Sequence, residues 1–236
     1  MSVRRLSAFG DEMETIRIKI DASESVTGLL LNPAGAQAGF VFAHGAGAGM
    51  THSFMEAVAS GLSVRGIATL RFQFPYMEKG AKRPDVPAVA QAAVRAAVAE
   101  AARQLPGIPL VAGGRSFGGR MTSQAQAAAP LAGVRGLAFL GFPLHPAGKP
   151  SEQRAKHLAG IRIPMLFVQG TRDALAELPL LQQVTSALGT RASLQLIEHA
   201  DHSFHVLVRS GRSNGEVMRE LLDSLAGWIV ALRNGV

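Results

Sequence analysis

Short apolar runs alternate along the chain with longer stretches in which apolar positions recur every three or four residues. The short runs are typical of buried strands, and the longer spacing is typical of amphipathic helices. Strands are predicted at Ile16–Ile20, Val26–Leu31, Gly39–Ala43, Ile67–Phe72, Pro109–Gly113, Val134–Leu140, Met165–Gln169 and Ser193–Ile197. Helices are predicted at Ser53–Arg65, Val86–Gln104, Phe117–Ala128, Glu152–Leu158, Leu178–Leu188 and Glu216–Leu232, and an irregular loop is predicted between Pro75 and Pro84.

The order of these elements predicts an α/β fold. The polar turn Asp21–Ser25 joins the first two strands as an antiparallel hairpin. From Gly39 onward, apolar strands alternate with helices, which indicates a mostly parallel central sheet with helices on both faces. Ligands of such sheets bind beyond the carboxyl ends of the strands. The residues that follow each strand are therefore the candidates for chemistry.

Composition narrows the class of protein. The chain has 236 residues, of which 47% are hydrophobic and 17% charged, and we expect one globular domain spanning residues 1–236. No apolar run reaches the roughly 20 residues of a membrane span, and acidic residues interrupt Met1–Ile16. We therefore expect no membrane segment, no secretory signal and a cytoplasmic location. The absence of cysteine excludes disulfides, thiolate metal sites and a cysteine nucleophile.

The formal net charge of +7 is spread along the chain rather than gathered in blocks. Aromatic residues make up only 6% of the sequence, so the pattern does not favour nucleic-acid binding. Two interpretations remain open: a basic surface without specific role, or attraction of an anionic substrate or partner. The sequence makes no prediction of oligomeric state.

A candidate nucleophile lies between a predicted strand and a predicted helix. Residues Gly114–Gly118 read Gly-Arg-Ser-Phe-Gly, the G-x-S-x-G pattern of a nucleophile elbow. The sharp turn holds the serine in strained backbone geometry, and the glycines let strand and helix approach each other. Ser116 is the predicted nucleophile. The competing interpretation is an ordinary glycine-rich turn.

An elbow of this type requires an acid and a histidine after later strands. Asp173 follows Met165–Gln169, and His202 follows Ser193–Ile197. Histidine takes the serine proton, and the carboxylate orients the imidazole. The rival acids are Glu177 and Asp223, the rival bases are His199 and His205, and Asp201 is expected to make a local turn bond.

Two backbone N–H groups are candidates for the oxyanion hole. One belongs to Phe117, directly after the nucleophile, and the other to Ala46 in the glycine-rich loop after Gly39–Ala43, with Gly47 as an alternative. The loop lacks the spacing of a dinucleotide or phosphate motif. His44 has no partner at metal-ligand spacing, so we expect a structural role for it and no metal or organic cofactor.

Together these residues resemble the α/β-hydrolase superfamily, over essentially the whole chain. The details are similar to the small lidless group related to dienelactone hydrolase, and more closely to the predicted hydrolases of the testis-expressed and nonspecific-lethal-complex α/β-hydrolase-like family. The segments that carry the resemblance are His44–Gly47, Arg71–Met77, Gly113–Gly119, Phe142–Pro150, Gly170–Asp173 and Ala200–His202. The resemblance implies a Ser116–Asp173–His202 triad and implies no particular substrate. Dienelactone hydrolases proper use cysteine where this chain has Ser116.

The region between Leu140 and Met165 is too short for a large cap, so an open pocket is expected. Candidate substrate-binding residues are His44, Gly45, Arg71, Tyr76, Met77, Arg115 and His145. Arg71, Arg115 and Arg120 are candidates for holding an anion such as a carboxylated ester. The predicted function is a serine hydrolase acting on small-molecule carboxylic esters; thioesterase, lactonase and peptidase activities stay open. The alternative is a catalytically silent module that binds a protein or a ligand.

Overall fold

The computed structural model describes residues 3–6 and 12–233. These residues form one sheet with helices on both faces. The strands are β1 (Val3–Leu6), β2 (Glu12–Lys19), β3 (Ser25–Leu31), β4 (Ala38–Ala43), β5 (Ile67–Phe72), β6 (Leu110–Arg115), β7 (Val134–Leu140), β8 (Met165–Gly170) and β9 (Ala192–Ile197). The helices are α1 (Ser53–Ser63), α2 (Pro75–Glu78), α3 (Pro87–Gln104), α4 (Phe117–Ala128), α5 (Leu178–Leu188) and α6 (Asn214–Arg233).

The nine strands are ordered β1-β2-β3-β5-β4-β6-β7-β8-β9. The pairs β1–β2, β2–β3 and β3–β5 are antiparallel, and every pair from β5 to β9 is parallel. The predicted hairpin and the predicted mostly parallel sheet are therefore confirmed. All six residues of β4, of β5 and of β8 are buried, as expected for parallel strands covered on both faces.

Two apolar layers cover the sheet. Helices α3, α4 and α5 pack on one face, where alanines of α3 allow the helix to approach the strands closely. Helices α1 and α6 pack on the other face, around Phe40 and Phe42 of β4. The helices cover the two faces of the sheet, and the candidate site lies at the carboxyl ends of the parallel strands.

No cap domain is inserted among the described residues. Between Leu140 and Met165, the regular structure is a single 3₁₀ helix, Gln153–Gly160, where the sequence predicts a short helix over Glu152–Leu158. The loop predicted between Pro75 and Pro84 contains the short helix α2, which begins at a proline because proline suits the first helical turn. Within residues 3–6 and 12–233, no helix combines the length and apolar character needed to cross a membrane.

Candidate active site

Ser116 lies in the turn between β6 and α4. Its backbone has φ 49° and ψ −112°, a conformation that costs a non-glycine residue about 1–3 kcal/mol. The surrounding packing holds this conformation: a Cβ built at Gly114 or at Gly118 would lie 2.4 Å from the carbonyl oxygen of Ala43. Strand and helix therefore touch through backbone, which is the geometry that the glycine pattern predicts.

Ser116, His202 and Asp173 form one hydrogen-bonded chain. The imidazole Nε2 of His202 lies 2.9 Å from Oγ of Ser116, and Nδ1 lies 2.7 Å from Oδ2 of Asp173. An ionised carboxylate only accepts hydrogen bonds, so the network assigns the proton to Nδ1 and leaves Nε2 to accept from the serine. The Asp173 side chain is fully buried, whereas that of His202 is 22% exposed. The base therefore faces the opening while the acid is shielded from water.

Asp173 is held by two further donors. The side-chain amide of Gln169 donates to Oδ2, and the backbone N–H of Leu175 donates to Oδ1 at 2.7 Å. Gln169 is itself fixed, because its Oε1 accepts the N–H of Phe142 at 2.8 Å. Gln169 is fully buried on β8, and sequence reasoning missed it. The available signal was one amide residue in an otherwise apolar strand.

The rival residues lie elsewhere. Asp223 pairs with Arg65 at 2.6 Å on α6, and Glu177 precedes α5. His199 is exposed in a left-handed turn with φ 64°. Asp201 makes the expected local bonds, since its Oδ1 accepts from the N–H groups of Ser203 and His205, at 2.8 and 2.9 Å.

The two predicted oxyanion donors lie in the same cavity as Ser116. Phe117 is the first residue of α4, so its N–H has no partner within the helix ladder. Ala46 belongs to the loop after β4, and a Cβ built at the preceding Gly45 would lie 3.8 Å from Cβ of Ser116. The loop thus passes directly beside the nucleophile.

His44 supports this loop from behind. It is fully buried, its Nε2 accepts the N–H of Phe74 at 3.1 Å, and its Nδ1 donates to the carbonyl of Gly45 at 2.8 Å. Burial lowers the pKa of His44 to about 4, so the ring is neutral at neutral pH. His44 is placed as a structural residue and not in the cavity lining.

Tyr76 and Met77 also pack against the loop. The hydroxyl of buried Tyr76 accepts the N–H of Gly47 at 3.4 Å, and burial raises the pKa of this hydroxyl. The end of the Met77 side chain lies 3.2 Å from a Cβ built at Gly49. These contacts place both candidate side chains against the loop, and neither residue is in the lining of the cavity at Ser116.

Arg71 and His145 are likewise buried away from the cavity. Arg71 donates to the carbonyl of Met50 at 3.1 Å, on the sheet face that α1 covers, and burial lowers the pKa of its guanidinium. The ring Nε2 of His145 accepts the N–H of Glu177 at 3.3 Å, and the backbone N–H of His145 donates to the carbonyl of Leu175 at 3.0 Å. His145 therefore braces the loop that carries Asp173 and does not line the cavity.

Arg115 points to the other side of the nucleophile. Its guanidinium donates to Oγ of Ser203 at 2.9 Å and lies 4.6 Å from the ring centre of Phe54. These residues line a neighbouring cavity of about 320 Å³. Arg115 is thus the sequence neighbour of Ser116, but it lines a different cavity from the one that Ser116 lines.

The cavity at Ser116 has a volume of about 340 Å³. It is lined by Ala46, Pro84, Asp85, Pro87, Ser116, Phe117, Arg120, Pro143, Arg154 and Leu175. Of the arginines predicted near the site, Arg120 is in this lining; Arg154 was not predicted. Across the described part of the chain, no group of three or more histidine, aspartate or glutamate side chains is arranged to hold a metal ion.

A nine-stranded, mostly parallel sheet with a strained serine at a strand–helix turn, hydrogen-bonded to histidine and aspartate, defines an α/β-hydrolase type of structure. The family model described as alpha/beta hydrolase domain matches residues 36–230. The chain therefore belongs to the alpha/beta hydrolase domain family.

Solved structures share this fold over nearly their whole length. A dienelactone hydrolase from Anabaena variabilis ATCC 29413 is 18% identical, with a TM-score of 0.75 over 94% of this chain and 98% of that one. A lidless α/β serine hydrolase from Xanthomonas campestris is 19% identical, with a TM-score of 0.72 over 92% and 95%. The esterase domain of a Rhodothermus marinus protein is 18% identical, with a TM-score of 0.70 over 93% and 98%. At these identities the similarity is one of fold.

Proposed function

We propose that this protein is a serine hydrolase that cleaves carboxylic esters of small acyl groups through an acyl-enzyme. The observation that carries the proposal is the continuous hydrogen-bonded chain from Ser116 through His202 to buried Asp173, at the edge of a cavity. A serine hydroxyl is a weak nucleophile until a base takes its proton, and the 2.9 Å contact with Nε2 provides that base.

In the proposed reaction, Oγ of Ser116 attacks the ester carbonyl carbon while His202 Nε2 takes the hydroxyl proton. Asp173 stabilises the imidazolium that forms. The imidazolium then protonates the leaving alkoxide, the C–O bond breaks, and the acyl group stays on Ser116. Water, deprotonated by His202, attacks the acyl-enzyme, and the acid is released as Ser116 regains its proton.

The negative charge on the carbonyl oxygen develops in the tetrahedral state. The N–H groups of Phe117 and Ala46 are the proposed donors, and the N-terminal end of α4 adds a favourable dipole. Backbone donors need no reorganisation during the reaction: strand–helix packing at the elbow fixes Phe117, and the contacts of His44 and Tyr76 support the loop of Ala46. None of these steps calls for a metal or an organic cofactor.

The size of the cavity supports the proposed substrate class. A volume of about 340 Å³ without a cap domain suits a small-molecule ester better than a long acyl chain. Thioesters, lactones and peptides remain alternative acyl substrates for the same residues. Within the family, we propose placement in the small lidless dienelactone-hydrolase-like group, next to the testis-expressed and nonspecific-lethal-complex proteins, on the sequence segments given above.

The decisive experiment is labelling with a fluorophosphonate probe, which reacts only with an activated serine. Wild-type protein and the exposed control Ser151→Ala are expected to label, and Ser116→Ala is expected not to label while remaining folded by circular dichroism. Equal labelling of Ser116→Ala would reject Ser116 as nucleophile. No labelling of folded wild type, together with no hydrolysis of short-chain esters, would instead favour the catalytically silent module.

A further inference from the structure

The cavity at Ser116 contains two arginines. Arg120 lies one helical turn after Ser116 on α4, and Arg154 comes from the 3₁₀ helix Gln153–Gly160. Asp85 is the one acidic residue among the described residues that line the cavity, and its Oδ2 accepts the N–H of Tyr76 at 2.9 Å. Two arginines and one aspartate leave the lining with one formal positive charge.

Neither arginine is paired with a carboxylate of the described residues. Within the described part of the chain, no carboxylate lies within 4.0 Å of the guanidinium of Arg120 or of Arg154. The Nε of Arg120 is buried and has no hydrogen-bond partner among the described residues. Burial and the like charge of Arg154 both lower the pKa of Arg120, which means that the two cations repel each other. Buried charged donors normally have an acceptor.

The two elements that carry the arginines are joined by hydrogen bonds through Ser123. Oγ of Ser123 donates to the carbonyl of Arg120 at 2.9 Å and lies 2.8 Å from Nε2 of His157, on the same 3₁₀ helix as Arg154. Because the serine proton goes to the carbonyl, Nε2 carries the proton of this second bond. Burial and the charge of Arg120 lower the pKa of His157 to about 4, so the neutral ring persists at neutral pH.

We infer that Arg120 and Arg154 bind a carboxylate carried by the substrate, so that the preferred substrates are esters with a free carboxylate on the acyl or the alcohol side. A carboxylate in the cavity accepts hydrogen bonds from the guanidinium groups that line it and removes the repulsion between the two cations. A monoanion also matches the single positive charge of the lining. The buried Nε of Arg71 lacks a partner too, but Arg71 lies outside this cavity.

This inference rests on the proposed function and is tested with matched ester pairs. On the acyl side, mono-4-nitrophenyl glutarate is compared with 4-nitrophenyl pentanoate. On the alcohol side, 4-acetoxybenzoate is compared with 4-acetoxybenzamide. The measured quantity is the ratio of kcat/KM for the anionic over the neutral ester. A poorly folded variant lowers both rates together, so this ratio isolates the effect of charge.

Wild type is expected to prefer the anionic ester at least tenfold in one pair or both. Arg120→Gln and Arg154→Gln should each reduce that preference about tenfold, mainly through KM, and Arg154→Lys should retain more of it than Arg154→Gln. Lys156→Gln removes the same charge from the same 3₁₀ helix, outside the cavity, and should leave the preference unchanged.

Failure of the inference and failure of the proposed function give different results. If the hydrolysis depends on Ser116 but the two glutamine variants keep the wild-type ratios in both pairs, the carboxylate site is rejected and the serine hydrolase stands. If no ester of either pair is hydrolysed in a Ser116-dependent manner, the proposed function is rejected and the inference falls with it.

Discussion

The side-chain amide of Gln169 donates to Oδ2 of Asp173, the same oxygen that accepts the Nδ1 proton of His202. The carboxylate is therefore fixed from the strand side and from the imidazole side at one atom. Gln169 is also hydrogen-bonded to the backbone of Phe142. The carboxylate of Asp173 is therefore oriented by a side chain of β8 that is itself fixed.

Replacing Gln169 with leucine is expected to lower kcat about tenfold with little change in KM, because the acid loses an orienting donor while the cavity keeps its lining. The measurement is steady-state kinetics on a short-chain ester. Gln195→Leu on the neighbouring strand is the control, since the Gln195 amide bonds only a local carbonyl among its described contacts. Equal losses in both variants would point to general destabilisation of the sheet.

Asp173→Asn is expected to lower kcat by about 10⁴, because the amide no longer holds the imidazole in the tautomer that accepts the serine proton. Asp201→Asn is the matched control. Its carboxylate accepts only local N–H groups, and we expect a loss of less than tenfold. If Asp201→Asn were the more damaging change, the assignment of the acid would have to be reversed.

The buried His44 predicts acid sensitivity of the fold. Its pKa is about 4 when folded, against 6.5 for the ordinary side chain, so between these values the unfolded chain binds a proton that the folded chain does not. This residue is expected to add a slope of about 1.4 kcal/mol per pH unit, with stability falling as pH falls from 6.5 to 4. Above pH 6.5 it adds no slope.

Urea unfolding between pH 4.5 and 7 measures this slope. His44→Gln, whose side-chain oxygen can accept the Phe74 N–H, should flatten the pH dependence by about one proton. The exposed control His199→Gln should leave it unchanged. An unaltered slope in His44→Gln would show that the buried ring does not carry this linkage.

Two glycine-to-alanine changes within helices should have opposite signs. At Gly118 the new Cβ would lie 2.4 Å from the carbonyl oxygen of Ala43, so we expect destabilisation of about 1–3 kcal/mol and loss of activity. At Gly227 of α6 there is open space, and alanine should stabilise the helix by up to about 1 kcal/mol. Thermal unfolding of the two variants checks both signs; a stabilising Gly118→Ala would contradict the close contact at the elbow.

Much of the fold was predictable because the buried parallel strands are predominantly apolar. The predicted ranges for β5, α4, β7 and α5 match the structure at both ends. The first strand, Val3–Leu6, was missed because it is a four-residue edge strand with two arginines and shows no apolar run. The 3₁₀ helix was predicted as a short helix, since the three-residue spacing of Ala155 and Leu158 occurs in both helix types.

The site was predictable to the extent that its residues follow strand ends. Ser116 directly follows β6, Asp173 comes three residues after the end of β8 and His202 five residues after the end of β9, so chain order brings all three to one edge. Position in the chain does not determine which face of the sheet a side chain points to. Arg71 and Phe72 are neighbours on β5 but point to opposite faces, so an arginine close to a strand end reached the α1 side instead of the cavity. Arg154 was missed because only tertiary packing brings its helix onto α4.

The order of strands places the candidate active site far from the sheet edge formed by β1. The triad residues follow β6, β8 and β9 and the proposed donor Ala46 follows β4, whereas β1 forms an edge of the sheet. Five strand spacings of about 4.8 Å put β1 roughly 24 Å from the nucleophile strand. A surface linker or a fused partner attached along β1 would therefore leave the mouth of the cavity unobstructed, which makes this edge the natural place to immobilise the protein.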